Sequence, residues 1–348
     1  MKIKRRFIAA FFAFILTLPL LVSCALDPIE ASEEELAVVG TVGNYEIHYD
    51  ELRFLTVNFK FELEKKYGEG IWNDPASAEL HRAELEKLVF DSIVSDYYAA
   101  LALAEDYFVG GSSAMMNEDA ILEAVQKNVE TTAEEQGGNR KYKEFLADNA
   151  MSDRLFRFYL AADHCATELF YILVQDLGVI ESENDYIEEY MHSDSFIRTN
   201  HIYISDTSEN GLALAEELHG KLVSSSEPQA DIVLLKGKYC DDWTMTTIHG
   251  KYFARFTSDL PEEYELAAFD LDVGDVSDVV TTDEGYYVIL RLEVEDDYLN
   301  DNFIDFKDDI LGSEFNKILA EYKSDLKLTL YGSQDVMLEK SGNSGDLN

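Results

Sequence analysis

The sequence contains little cysteine: three of its 348 residues. So few cysteines exclude the multi-bridge frameworks that hold small secreted domains together. Apart from Cys24 near the N-terminus there are only Cys165 and Cys240, and neither belongs to a CxxC pair or stands beside a histidine at metal-ligand spacing. A single disulfide bond between these two cysteines is an alternative that the sequence does not exclude. We expect two separate, mostly buried thiols and no structural zinc.

Basic residues are also few, since 28 Lys and Arg oppose 69 Asp and Glu, for a formal net charge of −41. Without the four cations of the first six residues, 24 basic residues face 69 acidic ones and the charge is about −45. Such a surface repels phosphate backbones and anionic lipid, so nucleic acid is excluded as a partner. The charge favours solubility and suits basic or unfolded partners, but it is equally compatible with adaptation to the organism's environment.

Patterns that bind metals or phosphates are missing too. The histidines show no spacing such as HExxH, and the glycine pairs at 110–111 and 137–138 are not followed by the lysine of a phosphate-binding loop. We therefore assign this chain no metal and no cofactor.

The N-terminus has the three parts of a bacterial secretory signal. Four basic residues lie within the first six, and residues 7–22 are apolar except for Thr17. This run is short for a bilayer span but typical of a signal core. It ends in LVSC at residues 21–24, which resembles a lipobox, where a lipidated cysteine becomes the first residue. We expect a lipid on Cys24 to hold the chain at the outer face of the cell membrane. The alternative is an uncleaved anchor helix, which also leaves the rest outside the cytoplasm.

The first half of the chain has the apolar periodicity of helices. A strand–turn–strand pattern covers residues 38–47, and a helical pattern begins at about Asp50. Asp74 followed by Pro75 predicts a helix start, and Ser152 predicts another. The helix after Asp74 is predicted to reach Gly110, with apolar residues at steps of four: Leu85, Val89, Ile93, Tyr97 and Leu101. Such stripes are packing surfaces, so we predict a helical domain.

The second half changes to α+β and then back to a helix. Strand patterns at residues 200–205 and 286–294 alternate with short helices, and the helical period returns after residue 296. A single C-terminal helix cannot bury its apolar stripe alone, so we expect it to pack on the N-terminal helices, around an inserted α+β domain. The predicted divisions are a signal peptide (1–23), a tether (24–36), an N-terminal helical domain (37–195), an inserted α+β domain (196–295), a C-terminal helix that packs on the N-terminal domain (296–330) and a disordered tail (331–348).

In the α+β segment, residues 196–204 read FIRTNHIYI and residues 231–242 read DIVLLKGKYCDD. The first stretch resembles the opening strand of the parvulin-type prolyl isomerases, and the second resembles a helix and turn that follow that strand in the family. Residues 265–289 match best, because ELAAF, VGDVSD and GYYVI succeed one another in the family's order. The flanks, at residues 39–52 and 183–192, resemble the PrsA and SurA families of extracytoplasmic chaperones. With the lipobox, they indicate the PrsA-like branch and a Gram-positive type of envelope.

By position, the resemblance implies two sets of site residues. The family's polar network corresponds to His201, Asp242, Thr282 and Tyr287, and its proline-ring pocket to Phe253, Leu260 and Tyr264. Tyr287 replaces the family's second histidine, and its hydroxyl is expected to reach His201. Gly250–Lys251 and Val279 depart from the usual Leu-Gly and proline. The resemblance thus implies a peptidyl-prolyl isomerase whose activity these replacements leave open.

Three functions are compared. The first is a membrane-anchored folding factor for unfolded or partly folded exported proteins, with an isomerase domain of reduced activity. The second is a non-catalytic holdase whose parvulin-like domain only binds peptide. The third, a solute receptor for a transporter, requires two α/β lobes, which the pattern does not show. The resemblance also suggests a homodimer that encloses a client cavity.

Overall fold

Local sequence signals begin several of the helices. The computed structural model describes residues 28–108, 118–245, 249–256 and 260–332. The carboxylate of Asp74 accepts hydrogen bonds from the backbone N–H groups of Ala76 (3.1 Å) and Ser77 (3.0 Å), ahead of a helix whose first residue is Pro75. These bonds satisfy donors that the first helical turn leaves without partners, so both the cap and the proline favour a helix start here.

The first of two units contains the described residues up to Ile172 and those from Leu319 onward. Its sheet has the antiparallel order β2–β1–β7, so the C-terminal strand pairs with the N-terminal one. A Cβ atom at Gly40 would lie 2.5 Å from the carbonyl oxygen of Thr329, so this pairing requires glycine. Its elements are β1 (Val38–Val42), β2 (Tyr45–His48), α1 (Tyr49–Tyr67), a 3-10 turn (Glu69–Trp72), α2 (Pro75–Ile93), α3 (Asp96–Phe108), α4 (Glu118–Gln136), α5 (Asn139–Asp148), α6 (Asp153–Tyr171) and β7 (Leu328–Leu330).

The single long helix predicted after Asp74 is wrong, because the chain forms two helices there. Helix α2 ends at Ile93 and α3 begins at Asp96. The break shifts the buried register by one residue, so Tyr98 is buried and Tyr97 only half-buried. A four-residue repeat of apolar positions does not reveal such a break, since the stripe continues through it.

The second unit, Leu173 to Ile318, contains a four-stranded antiparallel sheet in the order β4–β3–β6–β5. The two central strands pair over seven positions, from Arg198 with Leu292 to Ile204 with Tyr286. This unit and the helical one together confirm the predicted α+β class. Its elements are a π-helical turn beginning at the boundary (Ile172–Asp176), α7 (Asn184–Met191), β3 (Phe196–Ile204), α8 (Glu209–Val223), α9 (Pro228–Tyr239), β4 (Lys251–Ala254), α10 (Glu262–Asp270), β5 (Val280–Thr282), β6 (Gly285–Leu292), α11 (Asp296–Asp301) and the first part of α12 (Phe303–Asp325).

The two faces of β3 meet different helices. Ile202 and Ile204 pack in a cluster with residues of α8 and α9, whereas Ile197 and Tyr203 belong to a cluster with α10. This alternation is the two-residue period of a strand. Thr199 and His201 share the parity of Ile197 and Tyr203, so they lie on the α10 side of the sheet.

The units divide the chain at other places than the predicted domain limits. Residues 173–195 belong to the second unit, where α7 buries Ile187 and Met191. Helix α12 also begins in that unit, because the ring of Phe306 packs against those of Phe196 and Tyr252, 5.3 Å away in each case. Only its end, from Leu319, belongs to the first unit. The predicted signal peptide, Cys24 and most of the predicted tail lie outside the described residues.

Candidate active site

A chain of hydrogen bonds runs through the interior of the second unit beside β3. The hydroxyl of Tyr264, from α10, lies 2.8 Å from Thr199 Oγ1 and 3.0 Å from His201 Nδ1. On the other side of the imidazole, Nε2 lies 3.0 Å from the carboxylate of Asp242. The second oxygen of that carboxylate accepts the backbone N–H (2.8 Å) and hydroxyl (2.6 Å) of Thr244. Both ring nitrogens of His201 are therefore engaged.

Burial and hydrogen bonding fix the protonation of this chain. His201 is 0% exposed, and burial lowers its pKa despite the opposing effect of Asp242. The hydrogen bonds from His201 and Thr244 hold the pKa of Asp242 well below its usual range. At neutral pH the imidazole is thus uncharged and donates from Nε2 to the ionised carboxylate. Nδ1 then accepts from Tyr264, and the hydroxyl of Thr199 donates to Tyr264.

Tyr287 lies in this site, but it contacts His201 through its ring and not through a hydrogen bond from its hydroxyl. The two rings meet edge to face with centroids 5.3 Å apart, and Tyr264 meets Tyr287 in the same manner at 5.2 Å. The ring of Tyr203 stacks on Tyr287 at 4.5 Å. Tyr264 supplies the hydroxyl bond to His201 that we expected from Tyr287. The hydroxyl of Tyr287 has no hydrogen-bond partner among the residues that the structure describes.

The residues of the predicted proline pocket form one apolar cluster, with different exposures. Phe253 is buried and contacts the ring of Phe269 edge to face at 5.6 Å, and Leu260 is half-buried and packs against the same cluster. Tyr264 is 0% exposed, so it supports the cluster from within and cannot line an open pocket. A groove of about 460 Å³ adjoins the cluster, lined by Arg255, Leu266, Ala267, Phe269 and Asp270.

Thr282 is not part of the hydrogen-bonded chain through His201. Its hydroxyl donates to the carbonyl oxygen of Gly285 (3.0 Å) and accepts from the backbone N–H of Glu284 (3.3 Å). These bonds close the turn between β5 and β6. Thr282 therefore shapes the hairpin that carries Tyr287.

Sequence reasoning missed Thr199, Tyr203 and Thr244. The first two stand two residues before and after His201 on one strand, and this spacing places all three on the same face. Thr244 stands two residues after Asp242, the spacing at which a carboxylate caps a following N–H. Both signals are present in the sequence, but they are too common to be specific.

The two described cysteines are free thiols. Burial raises the pKa of Cys165 to about 12 and also raises that of Cys240, whose sulfur accepts the backbone N–H of Tyr203 at 3.3 Å. Thiols held in this form are poor nucleophiles. Within the described ranges, no group of three or more His, Cys, Asp or Glu residues could hold a metal ion.

The chain is similar to curated proteins named Foldase protein PrsA. That of Caldanaerobacter subterraneus subsp. tengcongensis is 26% identical over 288 residues, which cover 82% of each chain. That of Geobacillus kaustophilus is 31% identical over 138 residues, or 39% of this chain and 44% of the relative. No family model matches the sequence.

Among solved structures, the chain is similar to a peptidylprolyl isomerase (PrsA) from Bacillus anthracis. The two are 18% identical, with a TM-score of 0.33, over 67% of this chain and 97% of the other. The match to the Caldanaerobacter protein extends over most of both chains. The sequence of this chain is therefore similar to that of PrsA foldases over most of its length.

Proposed function

We propose that this chain is a membrane-anchored extracytoplasmic folding factor for exported proteins, and that its second unit is a peptidyl-prolyl cis-trans isomerase of reduced activity. The observation that carries the proposal is the buried chain from Thr199 through Tyr264 and His201 to Asp242, beside an apolar cluster. The PrsA-named relatives support the role in folding.

Prolyl isomerisation makes and breaks no covalent bond, so the site needs no nucleophile. The barrier of roughly 18–20 kcal/mol comes from the resonance that the amide loses as it twists. An enzyme lowers it by binding the twisted amide better than the planar one. Here the uncharged His201 and the aromatic rings around it form a rigid wall of low polarity. The Tyr287 hydroxyl is the group left over to hydrogen-bond the substrate amide, and Phe253, Leu260 and Phe269 offer apolar surface for the proline ring.

Isomerisation of X-Pro peptides, measured by NMR exchange with the purified full chain, tests the proposal. The chain should accelerate exchange, and Asp242→Asn should reduce the acceleration because the carboxylate orients His201. Asp278→Asn is the matched control, since the side chain of Asp278 is fully exposed. If no peptide is accelerated, or if both variants behave alike, the catalytic assignment fails.

A holdase without catalysis is the second candidate, because the first unit exposes large apolar side chains. Phe61 on α1 is 62% exposed and Leu80 on α2 is 68% exposed. Exposed apolar surface of this kind suits unfolded clients. Light scattering of an aggregating client should show that Phe61→Ser and Leu80→Ser weaken protection and that Asp242→Asn does not. The reverse pattern would favour the isomerase.

The anchor and the assembly state are proposals from the sequence. Lipid on Cys24 should appear as a mass increase that Cys24→Ala abolishes, together with release of the chain from membranes. The described residues include no helix long and apolar enough to cross a bilayer. The expected homodimer should give twice the chain mass in light scattering after size-exclusion chromatography.

A further inference from the structure

One polar group in the candidate active site is left without a partner. Tyr287 is only 5% exposed, yet its hydroxyl forms no hydrogen bond within the described part of the chain. The hydroxyl oxygen is not enclosed by the protein, so it is the part of this buried side chain that solvent reaches. It can therefore form a hydrogen bond with a peptide bound beside His201.

Carboxylates lie near Tyr287 and the ring of Tyr203 stacked on it. Burial raises the pKa of Tyr203, and the negative charges of Glu284, Asp241 and Asp242 raise it further. Burial likewise raises the pKa of Tyr287, with contributions from Tyr203, Asp242 and Glu284. The stacked rings of Tyr203 and Tyr287 thus lie within electrostatic range of Asp242 and Glu284 together.

Two of these carboxylates belong to residues whose backbones hydrogen-bond Tyr203, and the backbone N–H of Asp241 donates to the carbonyl oxygen of Tyr203 at 2.8 Å. Asp241 is held in place because its carboxylate accepts the N–H and the hydroxyl of Ser205, both at 2.8 Å. Glu284 is exposed at the β5–β6 turn, and its carbonyl oxygen accepts the Tyr203 hydroxyl at 2.7 Å. Both residues are exposed, so solvent and a bound peptide can reach them.

Two lysines also lie near the site. Lys236 is buried and donates to the side-chain oxygen of Asn200 at 2.9 Å, on the strand position next to His201. Lys236 and Lys251 lower the pKa of His201 after the larger effect of burial. After burial, carboxylates raise the pKa of Tyr203, whereas the pKa of Tyr287 is raised by Tyr203, then by Asp242 and Glu284, and least by Cys240.

We propose that this rim, made by Asp241, Glu284 and the stacked Tyr203–Tyr287 pair, selects peptides with a lysine or arginine next to the isomerised proline. The cation would lie near the two carboxylates and against the tyrosine rings, which attract positive charge. This inference rests on the proposed peptide-binding function, and it names the substrate class of the same site.

Peptides that differ only in the residue flanking proline test this selection. Arginine, its uncharged analogue citrulline, and glutamate are compared before and after the proline, with exchange rates from NMR and affinities from fluorescence anisotropy. Because exposed charge pairs are weak, we expect the arginine peptide to exceed the citrulline peptide by roughly two- to fivefold in kcat/KM or affinity. The preference should shrink in 0.5 M salt, which screens exposed charges.

Charge-neutral variants separate the rim from the acidity of the whole chain. Glu284→Gln should reduce the preference, and Asp241→Asn with it should abolish it. Glu188→Gln with Glu189→Gln removes the same charge from exposed positions of α7 and should leave the preference intact. Binding that prefers arginine without acceleration would refute the isomerase and support the selection. Equal binding of all three peptides, or the same loss in both double variants, would overturn it.

Discussion

Replacing Tyr264 with phenylalanine removes one oxygen atom and keeps the buried ring, so it isolates the hydroxyl at the centre of the site. That hydroxyl lies between Thr199 Oγ1 (2.8 Å) and His201 Nδ1 (3.0 Å), and both partners are 0% exposed. A buried polar group that loses its partner costs about 1–3 kcal/mol. The Thr199 hydroxyl can rotate but the imidazole cannot. We therefore expect Tyr264→Phe to lower the free energy of unfolding of the second unit by about 2–4 kcal/mol.

Denaturant unfolding measures this loss of stability, and two further variants serve as its control and as a test of coupling. Tyr286→Phe is the matched control, because the Tyr286 hydroxyl donates only to the carbonyl oxygen of Thr207, at 3.1 Å on the other side of the sheet. It should cost less than 1 kcal/mol, as expected for a part-exposed bond. Thr199→Val should cost less in the Tyr264→Phe background than alone, since the shared bond is already lost.

The same variant should also change the histidine. Nitrogen shifts of the His201 ring should report one fixed tautomer, protonated at Nε2, in the parent chain and a mixture in Tyr264→Phe. Isomerase activity should fall with little change in peptide affinity. A cost below 0.5 kcal/mol together with unchanged ring shifts would refute the reasoning that this hydroxyl orients His201.

Three further outcomes are expected. Arg154 donates to both carboxylate oxygens of the buried Asp50, so Arg154→Met should cost about 3–5 kcal/mol in urea unfolding, and Asp50→Asn in the same chain should recover part of it. Burial lowers the pKa of His201, so the unfolded chain binds a proton more readily than the folded one. The stabilising contribution of the neutral imidazole is therefore present above about pH 6.5 and lost as the pH falls below that value. Unfolding midpoints measured between pH 7.5 and 5.5 should decrease with falling pH, and His201→Gln should reduce that decrease. Burial raises the pKa of Glu51 to about 7, against the hydrogen bond from Tyr98, so stability should decrease as the pH rises from about 4.5 to 7; Glu51→Gln should remove that decrease and gain at most about 3 kcal/mol at pH 8.

Features that depend only on residues close together in the sequence could be predicted from it. The cap at Asp74 and the cap at Ser152, whose hydroxyl accepts the N–H of Leu155 at 3.0 Å, are determined within a few positions. The strand–turn–strand at residues 38–47 and the α+β class follow from periodicity, which is also local. The break between Ile93 and Asp96 could not be predicted, because the apolar stripe does not mark it.

In the candidate site, too, some features could be predicted from the sequence and others could not. The ordered motifs over residues 196–289 assign His201, Asp242 and Tyr287 to one site, and the structure brings these three side chains together beside β3. The sequence predicts that the Tyr287 hydroxyl reaches His201, however, whereas side-chain packing places the Tyr264 hydroxyl next to His201 Nδ1. A sequence position does not state which way a ring points, and two tyrosines in one cluster are interchangeable until their neighbours are known.

By itself, the sequence determined the acidic net charge, the helix starts, the fold class and the family resemblance, because each depends on composition, spacing or short-range bonds. The tertiary structure alone decided which hydroxyl contacts His201, that Thr282 closes a turn, and that β7 pairs with β1 across most of the chain's length. It also decided where α12 passes from one unit to the other. These features depend on contacts between residues far apart in the chain, where many pairings are compatible with the same local pattern.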